Sequence, residues 1–214
     1  MKKRFIYVIL SKTSTRPAKI IRRIIRANYS HSSISLDANL NEMYSFARIK
    51  YQTPLIGGFI HETYTTLSLG RDEEVPIKIF KIPVTYQQYK DIKKNIKYFK
   101  KNQKKFIYNY FSLILYPVHI NFKIRDSYIC TGFVSQMLAQ AGIKTEEFAT
   151  QRISPSMIVD ILSEYEYYTG SLSDYVKTVK HKDNRADFLK RENFFVITFK
   201  SIKQILQLIF RKIT

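Results

Sequence analysis

Cysteine is almost absent from this sequence: among 214 residues there is one, Cys130. A single cysteine excludes an intramolecular disulfide and fits a reducing compartment. The chain also lacks an apolar run long enough to span a bilayer. Near the N-terminus, Phe5–Leu10 is too short for the apolar region of a signal peptide. We therefore expect a soluble protein of the cytoplasm or a peripheral one on the inner face of the membrane.

Motifs that bind nucleotides or metals are missing as well. Neither GxxxxGK[ST] nor GxGxxG occurs, so nucleotide binding has no support. The four histidines do not cluster, no HExxH spacing is present, and one cysteine cannot build a thiolate metal site. We expect neither a metal nor another cofactor.

Acidic residues are scarce relative to basic ones, with 17 Asp and Glu against 36 Lys and Arg and a net charge of +19. Such an excess predicts attraction to an anionic partner, which could be a lipid surface, a nucleic acid or an acidic substrate. Two segments concentrate the charge, Thr85–Lys105 and Lys200–Thr214. The candidates for binding an anionic surface are Lys93, Lys97, Lys100, Lys101, Lys104, Lys203, Arg211 and Lys212.

Each basic segment has a second interpretation. Thr85 is suited to cap a helix, and a lysine run on such a helix is more often a solvated face than a binding surface. In the C-terminal segment one helical face is apolar, which fits either an interfacial helix on anionic lipid or a helix docked on its own domain. The apolar residues of that face are Ile202, Ile205, Leu206, Ile209 and Ile213.

The remaining pattern predicts an α+β fold: one domain, residues 1–193, with a Lys-rich helical insertion at about 85–117, followed by a basic amphipathic segment, 194–214. Runs rich in β-branched and aromatic residues predict the strands. We expect strands at Phe5–Ser11, His31–Asp37, Glu42–Lys50, Thr53–Glu62 (continued by Thr63–Leu69), Ile77–Val84 and Tyr165–Tyr168, helices at Ala18–Ala27, Phe106–Pro117 and Ile153–Glu164, a loop at Lys177–Arg191, and a strand or the start of the tail at Phe194–Phe199.

The cysteine lies at the start of a predicted buried helix. It follows an extended run, Phe122–Ser127, and opens a segment whose apolar residues recur at helical spacing until Gly142 stops it. In the first turn of a helix, free N–H groups and the positive end of the dipole favour a thiolate and can stabilise an oxyanion. The plainer interpretation is a small buried apolar side chain.

A cysteine nucleophile also needs a base and a polar group that orients the base. His181 lies in a charged loop, His119 ends an aromatic run, and His61 points away from its neighbour Glu62, because adjacent strand residues face opposite sides. His31 begins a strand directly after a turn, where its side chain can face a helix N-terminus. It is the candidate base.

These two pieces together resemble a known family. Tyr29-Ser30-His31 opening a strand, upstream of Ser127-Tyr128-Ile129-Cys130 and Gly132-Phe133-Val134, is similar to the circularly permuted papain-like hydrolases, the NlpC-type group that includes YiiX-like amidases and lecithin–retinol acyltransferase relatives. The likeness covers roughly residues 5–143. It implies a small antiparallel sheet or half-barrel packed against the Cys helix, with Cys130 as nucleophile and His31 as base.

The resemblance also implies an orienting residue on the strand after the His strand. The matching position is Ser45, where family members more often carry His, Glu, Asn or Gln. Glu42 and Glu62 are substitutes for this role. The implied activity is cysteine-dependent hydrolysis or acyl transfer on an amide, ester or thioester, with a peptide or lipid-like acyl substrate and the N–H of Cys130 binding the oxyanion.

Two other functions stay open. Ser45 and the basic excess favour a non-catalytic papain-like protein that docks on an anionic membrane or a cell-wall polymer. A nucleic-acid-binding protein would use the charge together with 16 Tyr and 15 Phe. Against it, the aromatic residues mostly occupy strand-like or core positions, and no nucleic-acid-binding motif is present.

Overall fold

The computed structural model describes residues 3–13, 28–71, 74–115, 123–149, 153–183 and 186–211. Several features expected from the sequence lie outside these ranges: the basic helix at Ala18–Ala27, the end of the aromatic run at His119, and Lys212 and Ile213 of the C-terminal segment.

An eight-stranded sheet forms the centre of the α+β fold. Its order is β7-β6-β4-β3-β2-β1-β5-β8, and every described pair is antiparallel except β6 with β7. The sheet is larger than the small one expected, because two short strands, β6 and β7, extend it at one edge. The strands are β1 Arg4–Ser11, β2 His31–Ser35, β3 Met43–Arg48, β4 Gly57–Glu62, β5 Pro76–Val84, β6 Ile107–Tyr108, β7 Ser127–Tyr128 and β8 Glu166–Ser171.

Helices cover both faces of the sheet, and β1 therefore buries alternate residues on opposite sides. Ile6 and Val8 join the larger core, whereas Tyr7 and Ile9 join the smaller one. The helices are α1 Tyr64–Ser68, α2 Tyr86–Lys101, α3 Tyr110–Ile114, α4 Cys130–Gln140, α5 Thr145–Phe148, α6 Pro155–Ile161, α7 Leu172–Thr178, α8 Ala186–Leu189 and α9 Phe194–Phe210. The helix that begins at Cys130, α4, packs across β2 and β3.

The helical insertion is shorter than expected. The lysine helix α2 ends at Lys101, and Ile107–Tyr108 is a strand that lies between β4 and β7. The helix expected at Phe106–Pro117 is therefore wrong for Ile107–Tyr108, because a two-residue strand has no periodicity of its own, and confirmed for Tyr110–Ile114, which form α3. Gly58 permits the approach of β6, because a Cβ there would lie 2.8 Å from the carbonyl oxygen of Phe106.

Three other expectations are corrected. Thr63–Leu69 does not continue β4 but forms α1, whose start is held by Thr66 Oγ1 accepting from the Thr63 N–H at 2.8 Å. Lys177–Arg191 is not all loop, since it contains the end of α7 and the whole of α8. Phe194–Phe199 is not a strand: of the two alternatives it is the start of the C-terminal segment, as the first part of α9, which begins after Asn193 caps the Phe195 N–H.

Among the described residues, no helix is both long and apolar enough to cross a bilayer.

Candidate active site

Cys130 is the first residue of α4. The preceding residue, Ile129, has extended backbone angles, so the chain turns sharply from β7 into the helix. The side chain is buried, with 6% exposure. The helix ends as expected, where Gly142 adopts a φ of 70° and the N–H of Ile143 donates to the Leu138 carbonyl. The predicted placement of the thiol at a helix N-terminus is confirmed.

His31 opens β2, which packs beneath the start of α4. Its Nε2 lies 2.9 Å from Glu62 Oε1. Because Nε2 faces the carboxylate, Nδ1 is the ring nitrogen left for Cys130, whose side chain interacts with the imidazole through hydrogen bonding and charge. His31 therefore interacts with both the Cys130 thiol and the Glu62 carboxylate.

Glu62 ends β4 and is almost completely buried, with 2% exposure. The Ser33 hydroxyl donates to Oε2 of its carboxylate. Ser45 pairs with Ile60, two residues before Glu62, so Ser45 and Glu62 share one face of the sheet. Ser45 Oγ is close enough to lower the pKa of Glu62, although no hydrogen bond of ordinary geometry joins the two.

The charges of the three groups stabilise one another. Burial lowers the pKa of His31, but the charge of Glu62 and hydrogen bonds to Cys130 and Glu62 raise it to about 10. Burial raises the pKa of the Cys130 thiol, yet His31 and the backbone of Ser32 bring it below its ordinary value. Burial likewise raises the pKa of Glu62, and His31 more than reverses this. The arrangement favours a thiolate–imidazolium–carboxylate state.

Tyr108 is a site residue that sequence reasoning missed. It lies on β6 and is buried. Burial, followed by the charge of Cys130, raises the pKa of its hydroxyl well above the ordinary value. The hydroxyl therefore stays neutral and can donate to a thiolate or to an oxyanion that forms beside it. No local pattern marks a two-residue strand, and the sequence carried no signal for this residue.

Two cavities lie near the site, and Cys130 is not among the lining residues of either. One, of about 130 Å³, is lined by His31, Glu62, Tyr108, Tyr110 and Arg48. The other, of about 560 Å³, has Ile129 and Gly132 in its wall, one residue before Cys130 and two after it. The smaller cavity therefore adjoins the candidate base and its carboxylate, whereas the larger one adjoins the start of α4.

The structure brings together Cys130, His31 and Glu62 of the predicted site residues. Ser45, the position matched to the orienting residue, contacts the carboxylate rather than the imidazole. Glu42 lies in the turn before β3, and its described contacts do not include His31. The strand after the His strand thus does not supply the partner of His31, because β4, one strand further on, carries a longer acidic side chain that reaches it.

The basic residues predicted to bind an anionic surface differ in whether their side chains are exposed. Lys93, Lys97, Lys100, Lys101 and Lys104 are exposed on and just after α2, and Lys203 is exposed on α9. Arg211 is not available in this way. Its guanidinium donates to the backbone carbonyls of Lys105, Arg125 and Asp126 at 2.9 to 3.3 Å and so fixes the end of α9.

Within the described ranges, no group of three or more His, Cys, Asp or Glu side chains is placed to hold a metal ion. No family model matches this chain, and no match was found among the curated proteins or the solved structures. The chemistry of the site therefore rests on its own geometry.

Proposed function

We propose that this protein is a cysteine-dependent hydrolase or acyltransferase that acts on an amide, ester or thioester bond through an acyl-enzyme. The observation that carries the proposal is the buried row of Cys130, His31 and Glu62 at a helix N-terminus. A purely structural cysteine has no need of a histidine, and a purely structural histidine has no need of a buried carboxylate.

In the first step the Cys130 thiolate attacks the carbonyl carbon of the substrate, and the π electrons of that bond move onto its oxygen. The N–H of Cys130 at the helix start and the neutral hydroxyl of Tyr108 can donate to this oxyanion. As the carbonyl re-forms, the bond to the leaving nitrogen, oxygen or sulfur breaks. His31 gives the leaving atom its proton, and a thioester to Cys130 remains.

In the second step neutral His31 takes a proton from water or from an acceptor alcohol or amine. The deprotonated acceptor attacks the thioester, and Cys130 leaves as a thiolate beside the newly protonated ring. Glu62 does not exchange a proton. It holds Nε2 at 2.9 Å and keeps the ring oriented, and its charge stabilises the imidazolium in both resting and returning states.

The permuted papain-like family implies the same assignment, with the His strand before the Cys helix. An antiparallel sheet packed against α4 supports membership of that fold, with Glu62 taking the orienting role given to Ser45. The substrate would be a peptide or lipid-like acyl compound. The alternative of nucleic-acid binding is less well supported, because ring pairs such as Phe46–Phe133 and Phe59–Phe99 are packed in the core and cannot stack on bases.

Alkylation of Cys130 tests the proposal, since this is the only thiol in the chain. We expect the rate of iodoacetamide alkylation to fall less between pH 8 and pH 6 than it does for an ordinary thiol, because the Cys130 pKa is lowered. In His31→Ala the rate at pH 6 should fall at least about tenfold. His61→Ala is the matched control, because His61 Nε2 contacts the Asn41 carbonyl instead. An ordinary pH profile, unchanged in His31→Ala, would refute the proposal.

A further inference from the structure

The last helix, α9, docks on the domain through one narrow face. Gln204 and Leu208 are buried. The Gln204 side chain accepts from the Gly57 N–H and donates to the Gly57 carbonyl, which anchors the helix to the start of β4. Leu208 packs against Ile107 and Ile124. Of the two interpretations that the sequence allowed for this segment, docking on its own domain is therefore observed for this face of α9.

The opposite side of α9 is apolar and exposed. At about 3.6 residues per turn, five of its residues fall within one stripe, roughly half a turn away from Gln204 and Leu208. We call them the outer stripe: Phe195, Phe199, Ile202, Leu206 and Ile209, with exposures of 79, 70, 53, 45 and 57%. Phe194 and Phe210 extend this surface at the two ends, with exposures of 73 and 82%.

Exposure of such an apolar surface to water is unfavourable. A helix on a soluble domain normally places polar residues opposite its buried face, and scattered exposed apolar residues need no explanation, whereas a contiguous stripe does. Ile205, expected on the same face as the exposed isoleucines, turns partly inward, and Ile213 lies outside the described residues. The outer stripe instead includes two phenylalanines, Phe195 and Phe199, from the N-terminal half of α9.

The charged residues of α9 indicate which kind of partner the outer stripe binds. No Asp or Glu occurs in Phe194–Phe210, and the exposed Lys203 flanks the stripe. Two copies meeting through this face would bring net charges of +19 together, which opposes self-association. Apolar and aromatic residues beside lysines, without acidic residues, match a helix that lies in the headgroup region of an anionic bilayer.

We propose that the outer stripe docks into the interface of an anionic lipid bilayer, with α9 lying parallel to the membrane plane. The proposal does not depend on the chemistry at Cys130. It does bear on where a substrate would enter. Arg211 at the end of α9 donates to the carbonyls of Arg125 and Asp126, and both of these residues line the larger cavity beside the start of α4. Docking would bring this cavity near the lipid surface.

The absence of tryptophan makes a direct test possible. In Phe199→Trp the only indole lies in the outer stripe, and its emission should shift to the blue when vesicles containing phosphatidylglycerol are added. Tyr98→Trp is the matched control, since Tyr98 is 51% exposed on the lysine helix α2. We expect no shift there. A shift in Tyr98→Trp alone, an equal shift in both, or a shift in neither would overturn the proposal.

A second measurement uses the native aromatic content. Phe195→Ser with Phe199→Ser should reduce co-sedimentation with the same vesicles at least about tenfold, because two large apolar side chains no longer enter the interface. Tyr86→Ser, at an exposed position of α2, should not. The Cys130 alkylation rate, measured without lipid, should stay unchanged and so separates this proposal from the enzymatic one. If the wild type is a dimer without lipid and the double variant a monomer, the stripe is a contact between copies and the proposal fails.

Discussion

Two groups of charged residues in this molecule differ in how many charges they contain and in whether those charges are buried. The interior holds three interacting groups, Cys130, His31 and Glu62, whereas α2 exposes a row of lysines to water. Burial removes the competing solvent, so each interior charge strongly shifts its neighbours. Exposed lysines are screened by water and salt. The position of a charge, more than the number of charges, decides what it does.

The largest expected effect comes from removing the buried carboxylate. Burial alone lowers the pKa of His31, so Glu62→Gln, which removes the offsetting charge, should bring that pKa down and leave Cys130 mostly as a thiol near neutral pH. We expect at least about a tenfold loss of alkylation rate at pH 6. Loss of one partner from a buried ion pair should also cost about 3 kcal/mol in the free energy of unfolding.

Glu42→Gln is the control for this variant, because Glu42 is a half-buried residue in the turn between β2 and β3, and its described contacts do not include His31. Its alkylation rate and its urea midpoint should match the wild type. Wild-type behaviour of Glu62→Gln in both measurements would mean that the interior charges do not interact as described.

The pH dependence of stability gives the next largest effect. Above about pH 6.5, native His31 holds a proton that the unfolded state releases, so its contribution to stability falls as the pH rises. The lowered pKa of native Cys130 acts in the opposite direction and offsets part of this fall. In Cys130→Ala only the His31 contribution remains. It is complete below about pH 6.5 and is lost as the pH rises through the native His31 pKa, by up to about 1.4 kcal/mol per pH unit. That pKa lies below its wild-type value of about 10 in this variant, because Cys130 no longer raises it.

Urea unfolding of wild type and Cys130→Ala at pH 6.5, 7.5 and 8.5 measures this difference. The quantity compared is the change in unfolding free energy with pH, so any constant loss from the missing sulfur drops out. Parallel pH dependences in the two proteins would contradict a thiolate–imidazolium pair.

The smallest effect is expected on the surface. Lys93→Gln, Lys97→Gln and Lys101→Gln combined should change the unfolding free energy by less than about 0.5 kcal/mol, since exposed charges contribute little. The Cys130 alkylation rate should not change. A large shift in either quantity would show that the surface lysines and the interior site are electrically connected, and the contrast between the two regions would disappear.

The sequence predicted those parts of the fold that depend only on residues close together in the chain. Thr85 caps α2 by accepting from the Gln88 N–H at 3.2 Å, and α4 begins at Cys130 and stops before Gly142, because capping and helical spacing depend on neighbours a few residues away. His31 at the start of β2 was also found from its position after a turn.

The parts that the sequence missed or left open depend on distant residues. Glu62 contacts His31 across an intervening strand, and no rule of spacing relates residues 31 and 62. Tyr108 reaches the site through a two-residue strand that needs Gly58 opposite it. For α9, the basic and apolar pattern was visible, but the choice of face came from Gln204, a polar residue whose partner is the backbone of Gly57. Pairing of this kind is set by the assembled sheet.

The single cysteine has a consequence for the lifetime of the site under oxidising conditions. A sulfur held as a thiolate is the form that peroxide oxidises to sulfenic acid. Proteins that survive this step commonly trap it with a second cysteine, and this chain has none. Recovery would require a thiol supplied from outside, such as glutathione, and this thiol would have to reach a sulfur on a side chain that is only 6% exposed. Without such a donor, further oxidation to the sulfinic acid would be irreversible for this protein's own residues.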